Sequence, residues 1–192
     1  SKFNKHINVI PSLTKPSKIK KQKILSGKKY LIISKDLLYE KLKNCKKKID
    51  FLFLFGASKF PDEKLLNDIK NSKIKNYLII LGPYVQKSKI NELKTKKIKF
   101  IVNPKNYFQL LCLSKKIISV LGVSSYEIMG IGLKPIIYTP ANETTNRKLD
   151  ISYLTKKKII QPYYYNILKN KKILTLVDKD ISFGAKNIVK LI

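Results

Sequence analysis

The chain has 192 residues, 41 of them Lys or Arg against 12 Asp or Glu, for a formal net charge of +29. A hydrophobic content of 44% excludes a disordered chain, and no apolar run approaches the roughly 20 residues that span a bilayer. Two distant cysteines, Cys45 and Cys112, and one histidine, His6, make neither a disulfide framework nor a zinc site.

The charge at first suggests nucleic acid, but its make-up argues otherwise. Forty of the 41 basic residues are Lys, and Arg147 is the only Arg. Ile occurs 28 times, Asn 14 times and Ala three times. Lys, Ile and Asn share AT-rich codons, so the bias has a genomic origin. A specific nucleic-acid reader relies on the planar fork of Arg, so specific nucleic-acid recognition is not expected. A sequence-independent binder can work with Lys alone. No secretion signal opens the chain, and the unpaired cysteines suit a reducing compartment, so a cytoplasmic location is expected.

In chain order, residues 1–29 read as a short apolar patch at 7–10 followed by a Lys-rich linker. From Tyr30 a regular alternation begins. Strands are expected at 30–34, 49–55, 77–81, 99–102, 116–121, 135–139 and 159–160. Helices are expected at 36–43, 61–69, 88–94, 107–113, 124–131 and 142–156, with further helices at 163–168 and 185–191. Asp36 is a candidate N-cap, and Pro61 with Asp62 and Glu63 opens the helix at 61. Strands that are apolar throughout, each followed by a helix, predict an α/β fold with a doubly wound parallel sheet covered on both faces. Residues 30–192 form that domain.

Ligands of such sheets bind outside the carboxyl ends of the strands, which selects five loops. In Leu121-Gly122-Val123-Ser124-Ser125-Tyr126-Glu127, a strand gives way to a helix. Gly122 admits close approach of a ligand. The amides of Val123, Ser124 and Ser125 stand at a helix N-terminus, suited to a phosphate, and Glu127 one turn in can accept from ribose hydroxyls. An ordinary capping box is the plainer use of the same residues. In Pro140-Ala141-Asn142-Glu143-Thr144-Thr145-Asn146-Arg147, polar groups can grip a ribose or sugar, or Asn142 can simply cap a helix. Gly56-Ala57-Ser58 can turn its amides to a diphosphate or make a tight turn. Gly82-Pro83 and Asn103-Pro104 end two further strands, and Asn103 can border a base. The run Tyr163-Tyr164-Tyr165 can stack on a ring or dock onto the sheet. No catalytic triad or carboxylate pair stands out, and no metal or cofactor is expected.

Taken in order, Leu121-Gly122-Val123-Ser124-Ser125-Tyr126-Glu127, Gly132-Leu133-Lys134-Pro135 and Pro140-Ala141-Asn142-Glu143 resemble the C-terminal lobe of GT-B sugar-nucleotide enzymes. The nearest are the UDP-sugar hydrolase of pseudaminic acid biosynthesis and its spore-coat-polysaccharide relatives. Phe55-Gly56-Ala57-Ser58-Lys59-Phe60-Pro61 is similar to that family's Gly-Gly-Ser-Asp-Pro turn, Ser26-Gly27-Lys28-Lys29-Tyr30 to its interdomain linker, and Leu81-Gly82-Pro83 to its next strand end. The likeness spans about residues 20–160. It implies a Rossmann-like lobe that holds a UDP-sugar, or another nucleotide-sugar such as a CMP-linked one, whose sugar is hydrolysed off or transferred in surface glycan synthesis. By position, Gly122, Val123 and Ser124 meet the diphosphate and Glu127 the ribose. Asn103 borders the uracil, and Asn142, Glu143, Thr144 and Thr145 face the ribose or sugar.

The sequence departs from the family at Leu121, where a first Gly is expected, at Ala57, and at Asn142-Glu143-Thr144-Thr145, which lacks an Asn-Gln ending. Nothing matches the family's N-terminal lobe with its catalytic His. The resemblance therefore implies either a C-terminal fragment or a chain whose partner lobe is elsewhere, with residues 3–12 as the last strand of that missing lobe, and a chain inactive alone. Two other readings stand beside it: a Lys-rich non-enzymatic nucleic-acid binder, and a degenerate domain that keeps the fold for protein contacts.

Overall fold

The computed structural model describes residues 7–9, 23–25, 34, 36–37, 45–56 and 60–170. The expected strand at 30–34 (but for Ser34), most of the helix at 36–43, the helix at 185–191, and Ser58 lie outside the described residues.

Two short strands come first, β1 (Ile7–Val9) and β2 (Lys23–Leu25), paired in parallel as a sheet of their own. β2 falls inside the segment read as linker. Three residues, Lys23-Ile24-Leu25, carry too little periodicity to announce a strand.

Among the described residues the main sheet has six parallel strands. They are β3 (Ile49–Phe55), β4 (Tyr77–Leu81), β5 (Phe100–Val102), β6 (Ser114–Ser119), β7 (Ile136–Ile137) and β8 (Gln161–Pro162). Their spatial order is β5-β4-β3-β6-β7-β8. The chain winds outward from β3 to one edge, then returns to β6 on the other side of β3 and winds to the opposite edge. This is a doubly wound, Rossmann-like α/β fold. The helices between strands are α1 (Glu63–Asn71), α2 (Lys87–Thr95), α3 (Tyr107–Leu113), α4 (Val123–Gly130) and α5 (Thr145–Lys156), and a 3-10 turn spans Tyr165–Lys169.

Side-chain alternation along β3 divides the core. Phe51, Phe53 and Phe55 join Leu65, Leu66 and Ile69 of α1, Leu93 of α2, and Ile167 and Leu168 of the 3-10 turn. Leu52 and Leu54 point the other way, into a cluster with Leu37, Leu110 and Leu111 of α3, and Ile128 of α4. Ile137 and Leu121 pack with Ile151 and Leu154 of α5. A strand buried on both faces needs no polar alternation, which is why 49–55 reads as one apolar run. Burying each of these Phe side chains stabilises the fold by about 1.5–3 kcal/mol.

Helix ends follow local chemistry. Asp62 caps α1 by accepting from the Leu65 amide at 3.0 Å. Glu63 in its first turn and Lys70 in its last match the helix dipole. The helix expected at 61–69 therefore begins two residues later, with Pro61 ahead of the cap. α5 is capped by Thr144 rather than Asn142, and so begins at Thr145 rather than 142. β6 runs two residues earlier than the expected 116–121, because its register against β3 pairs Ile49 with Ser114 and Leu54 with Ser119.

Charged groups, with Asp50 and Lys116 buried, collect at the amino ends of the strands. Lys115 Nζ meets Asp50 Oδ1 at 2.8 Å. Lys116, on β6, donates to the carbonyl oxygen of Asn170 at 2.6 Å, and burial lowers its pKa. The carboxyl ends are built differently.

Candidate functional site

The order of winding reverses between β3 and β6. Loops leaving those two strands on their carboxyl side diverge to opposite faces, which opens a crevice between them. A cavity of about 540 Å³ lies there. Its lining draws on five separate connections. Gly56 follows β3, Gly82 and Pro83 follow β4, Asn103 and Pro104 follow β5, Gly122 to Ser124 follow β6, and Arg147 comes from the first turn of α5. Tyr107 and Glu127 complete the wall from α3 and α4.

Backbone shape accounts for several of these choices. Gly56 has φ +33° and Asn103 has φ +44°, both in the left-handed region that Gly and Asn tolerate. The Asn103 amide bonds Leu81 O at 2.9 Å, which ties the β5 end to β4. Gly122 is extended, with φ 168°, a conformation open to any residue. A Cβ added there would meet nothing within 4 Å. What Gly122 supplies is open space beside the backbone, not a special dihedral.

The turn into α4 separates its two serines. Ser125 is fully buried. Its hydroxyl accepts from the Gly122 amide at 3.3 Å, donates to Val120 O at 3.3 Å, and lies 3.4 Å from Ser119 Oγ. Its own amide bonds Gly122 O at 3.0 Å. The structure thus places Ser125 behind the turn as its fastener, outside the cavity wall, and one half of the capping box is present. The amides of Val123 and Ser124 precede the first turn's hydrogen bond and stand at the open end of the helix.

Glu127 is half-buried and accepts from the Tyr107 hydroxyl at 2.8 Å. Burial raises the Glu127 carboxyl above the usual range, while the bond from Tyr107 pulls it down. Tyr107 is held far above an ordinary phenol, first by burial and then by the Glu127 charge. Sequence reasoning gave Tyr107 only a place in a helix. Its partner lies 20 residues away on another helix, and no local spacing marks such a pair.

The segment after β7 lines a second cavity, of about 580 Å³, with Phe60, Asp62, Pro140, Asn142, Glu143, Thr144 and Arg147. Thr145, the first residue of α5, is exposed and is not among the lining residues of either cavity. Arg147 belongs to both linings. Its Nη1 lies 3.6 Å from Glu143 Oε2. Glu143 Oε1 accepts from the Thr144 amide at 3.1 Å.

One wall of this cavity is braced to the sheet. Tyr138 donates to Asp62 Oδ1 at 2.6 Å, and Tyr163 to Asp68 Oδ2 at 3.0 Å. The two rings meet edge to face at 5.3 Å. Burial and the bonded carboxylates raise both phenols well above their ordinary pKa. Of the two uses open to the tyrosine run, Tyr163 takes the docking one.

Among the described residues no group of three or more His, Cys, Asp and Glu is placed to hold a metal ion, and no helix is long and apolar enough to cross a membrane. The chain matches no protein-family model, and no curated protein is similar to it in sequence.

Proposed function

We propose that this chain is the nucleotide-holding lobe for a UDP-linked sugar, in an enzyme that hydrolyses or transfers that sugar during surface glycan synthesis. The supporting observation is the convergence of Gly56, Gly82, Asn103, Gly122, Val123, Ser124 and Glu127 on one cavity where the winding reverses. The likeness of these same loops to GT-B enzymes supplies the ligand class. In this reading the amides of Val123 and Ser124 donate to the diphosphate, Glu127 accepts from the ribose, and Asn103 borders the base. The second cavity takes the sugar. The lobe's contribution is to position the substrate and to stabilise negative charge on the departing nucleotide. Proton-transfer groups belong to a partner lobe.

Titration with UDP, followed by amide shifts, tests this. Shifts concentrated at Gly122, Val123 and Ser124 are expected. Shifts scattered over lysine amides, and lost as salt rises, would mark non-specific polyanion binding instead. Gly122→Ala gives a second check. Nothing within 4 Å opposes the new methyl and φ is extended, so thermal unfolding should be unchanged. A ligand packed against that backbone should bind about three- to tenfold more weakly, since a displaced contact of this kind costs on the order of 1 kcal/mol.

A further inference from the structure

We infer that Arg147 is the group that receives the ligand's phosphoryl oxygens, releasing Glu143 to do so, at the border between the two cavities. The inference rests on the nucleotide-sugar reading of the site and adds the anion-binding residue to it.

Charge placement carries the argument. The chain has 40 Lys and one Arg. Among the described residues lining either cavity, Arg147 is the only cation. An anion lodged there has one described cationic side chain to meet, against the carboxylates of Glu127, Asp62 and Glu143 in the same linings. A lysine offers a point charge, whereas guanidinium offers a planar fork that matches two phosphoryl oxygens at once. A composition that favours Lys forty to one still places its single Arg at this position.

The present partner holds Arg147 loosely. At 3.6 Å the contact with Glu143 is longer than a hydrogen bond, and 42% of the Arg147 side chain remains exposed. On release Glu143 keeps its bond from the Thr144 amide, but only 5% of its side chain is exposed, so the carboxylate bears a desolvation cost that the phosphoryl contacts of Arg147 must offset. The location also favours exchange. Arg147 sits in the first turn of α5, where the helix dipole disfavours a cation and favours an anion. A diphosphate there, carrying one negative charge on each phosphoryl group, satisfies both the helix end and the guanidinium. Because Arg147 borders both cavities, a diphosphate gripped at this point sends its nucleoside into one and its sugar into the other.

The test is calorimetry of wild type, Arg147→Ala, Arg147→Lys and Glu143→Gln with UDP, UMP, uridine and inorganic pyrophosphate, with melting curves to confirm folding. Arg147→Ala should weaken UDP and pyrophosphate by about tenfold or more, the scale of a lost charge-assisted contact, and leave uridine unchanged. UMP should suffer less than UDP. Arg147→Lys should restore only part of the loss, and Glu143→Gln should tighten UDP severalfold. A UDP affinity within twofold of wild type in Arg147→Ala overturns the inference while leaving the nucleotide reading intact. Pyrophosphate binding that depends on Arg147, without any preference for UDP, sustains the inference and overturns the uridine assignment. If wild type binds none of the four, both fall.

Discussion

Asp62→Ala should lower the unfolding free energy by roughly 2–4 kcal/mol, a large share of the 5–15 kcal/mol that holds an ordinary domain together. Two losses combine. The Leu65 amide at the start of α1 loses its cap, at about 0.5–2 kcal/mol. The largely buried Tyr138 hydroxyl loses its acceptor at 2.6 Å, at about 1–3 kcal/mol for an unpaired group. Asp62→Asn keeps an oxygen for both donors and should recover most of the loss. Urea unfolding followed by tyrosine fluorescence suits a chain without Trp. A midpoint unchanged in Asp62→Ala would show that neither bond contributes. Since Asp62 also lines the second cavity, the alanine variant should loosen that cavity's wall as well as the fold.

Glu127→Gln should move stability and binding in opposite directions. The carboxyl is raised from 4.5 chiefly by burial, so the folded protein disfavours its charged form. The sign follows directly. Folded and unfolded states are both protonated below the unfolded value, and the carboxylate's penalty grows as pH rises through the folded one. At neutral pH the glutamine variant should melt above wild type, and the gap should close as pH falls toward 4.5. Glutamine keeps an acceptor for the Tyr107 hydroxyl, so that contact does not confound the comparison. UDP affinity should fall by about 10- to 100-fold, the scale of two ribose hydroxyls losing a charged acceptor. Wild-type affinity should also rise with pH as the carboxyl ionises. A variant that melts lower at pH 7, or that binds UDP as tightly as wild type, would remove Glu127 from its assigned role.

These residues also mark how far the sequence could be read. β3, β4 and α3 stand at the expected residues 49–55, 77–81 and 107–113. Each is strongly apolar and bounded by a turn or a cap. The rule that ligands sit at strand carboxyl ends selected the loops that meet around the cavity, and Gly56, Asn103, Gly122 and Glu127 could be named from their positions alone. The roles of Ser124 and Ser125 could not be told apart, because adjacent residues of a helix N-terminus differ only in which way the turn carries them. One lines the cavity and the other is buried beneath the backbone. Tyr107 with Glu127, and Asp62 with Tyr138, are tertiary pairs 20 and 76 residues apart. No period in the sequence encodes them. β2 was missed for the converse reason: a three-residue strand is made by its partner more than by its own pattern.

The separation of lysines from the cavity has a kinetic consequence. Lys64, Lys70, Lys87, Lys89 and Lys94 lie on exposed helix faces, and their field reaches an approaching anion only over about a Debye length, roughly 8 Å at physiological ionic strength. On the proposed reading, salt should therefore slow capture of an anionic ligand. In the proposed site the retaining groups are few, the amides of Val123 and Ser124 and the Arg147 guanidinium, so residence time should depend less on salt than capture does. Ionic strength should act on the association rate and scarcely on the dissociation rate.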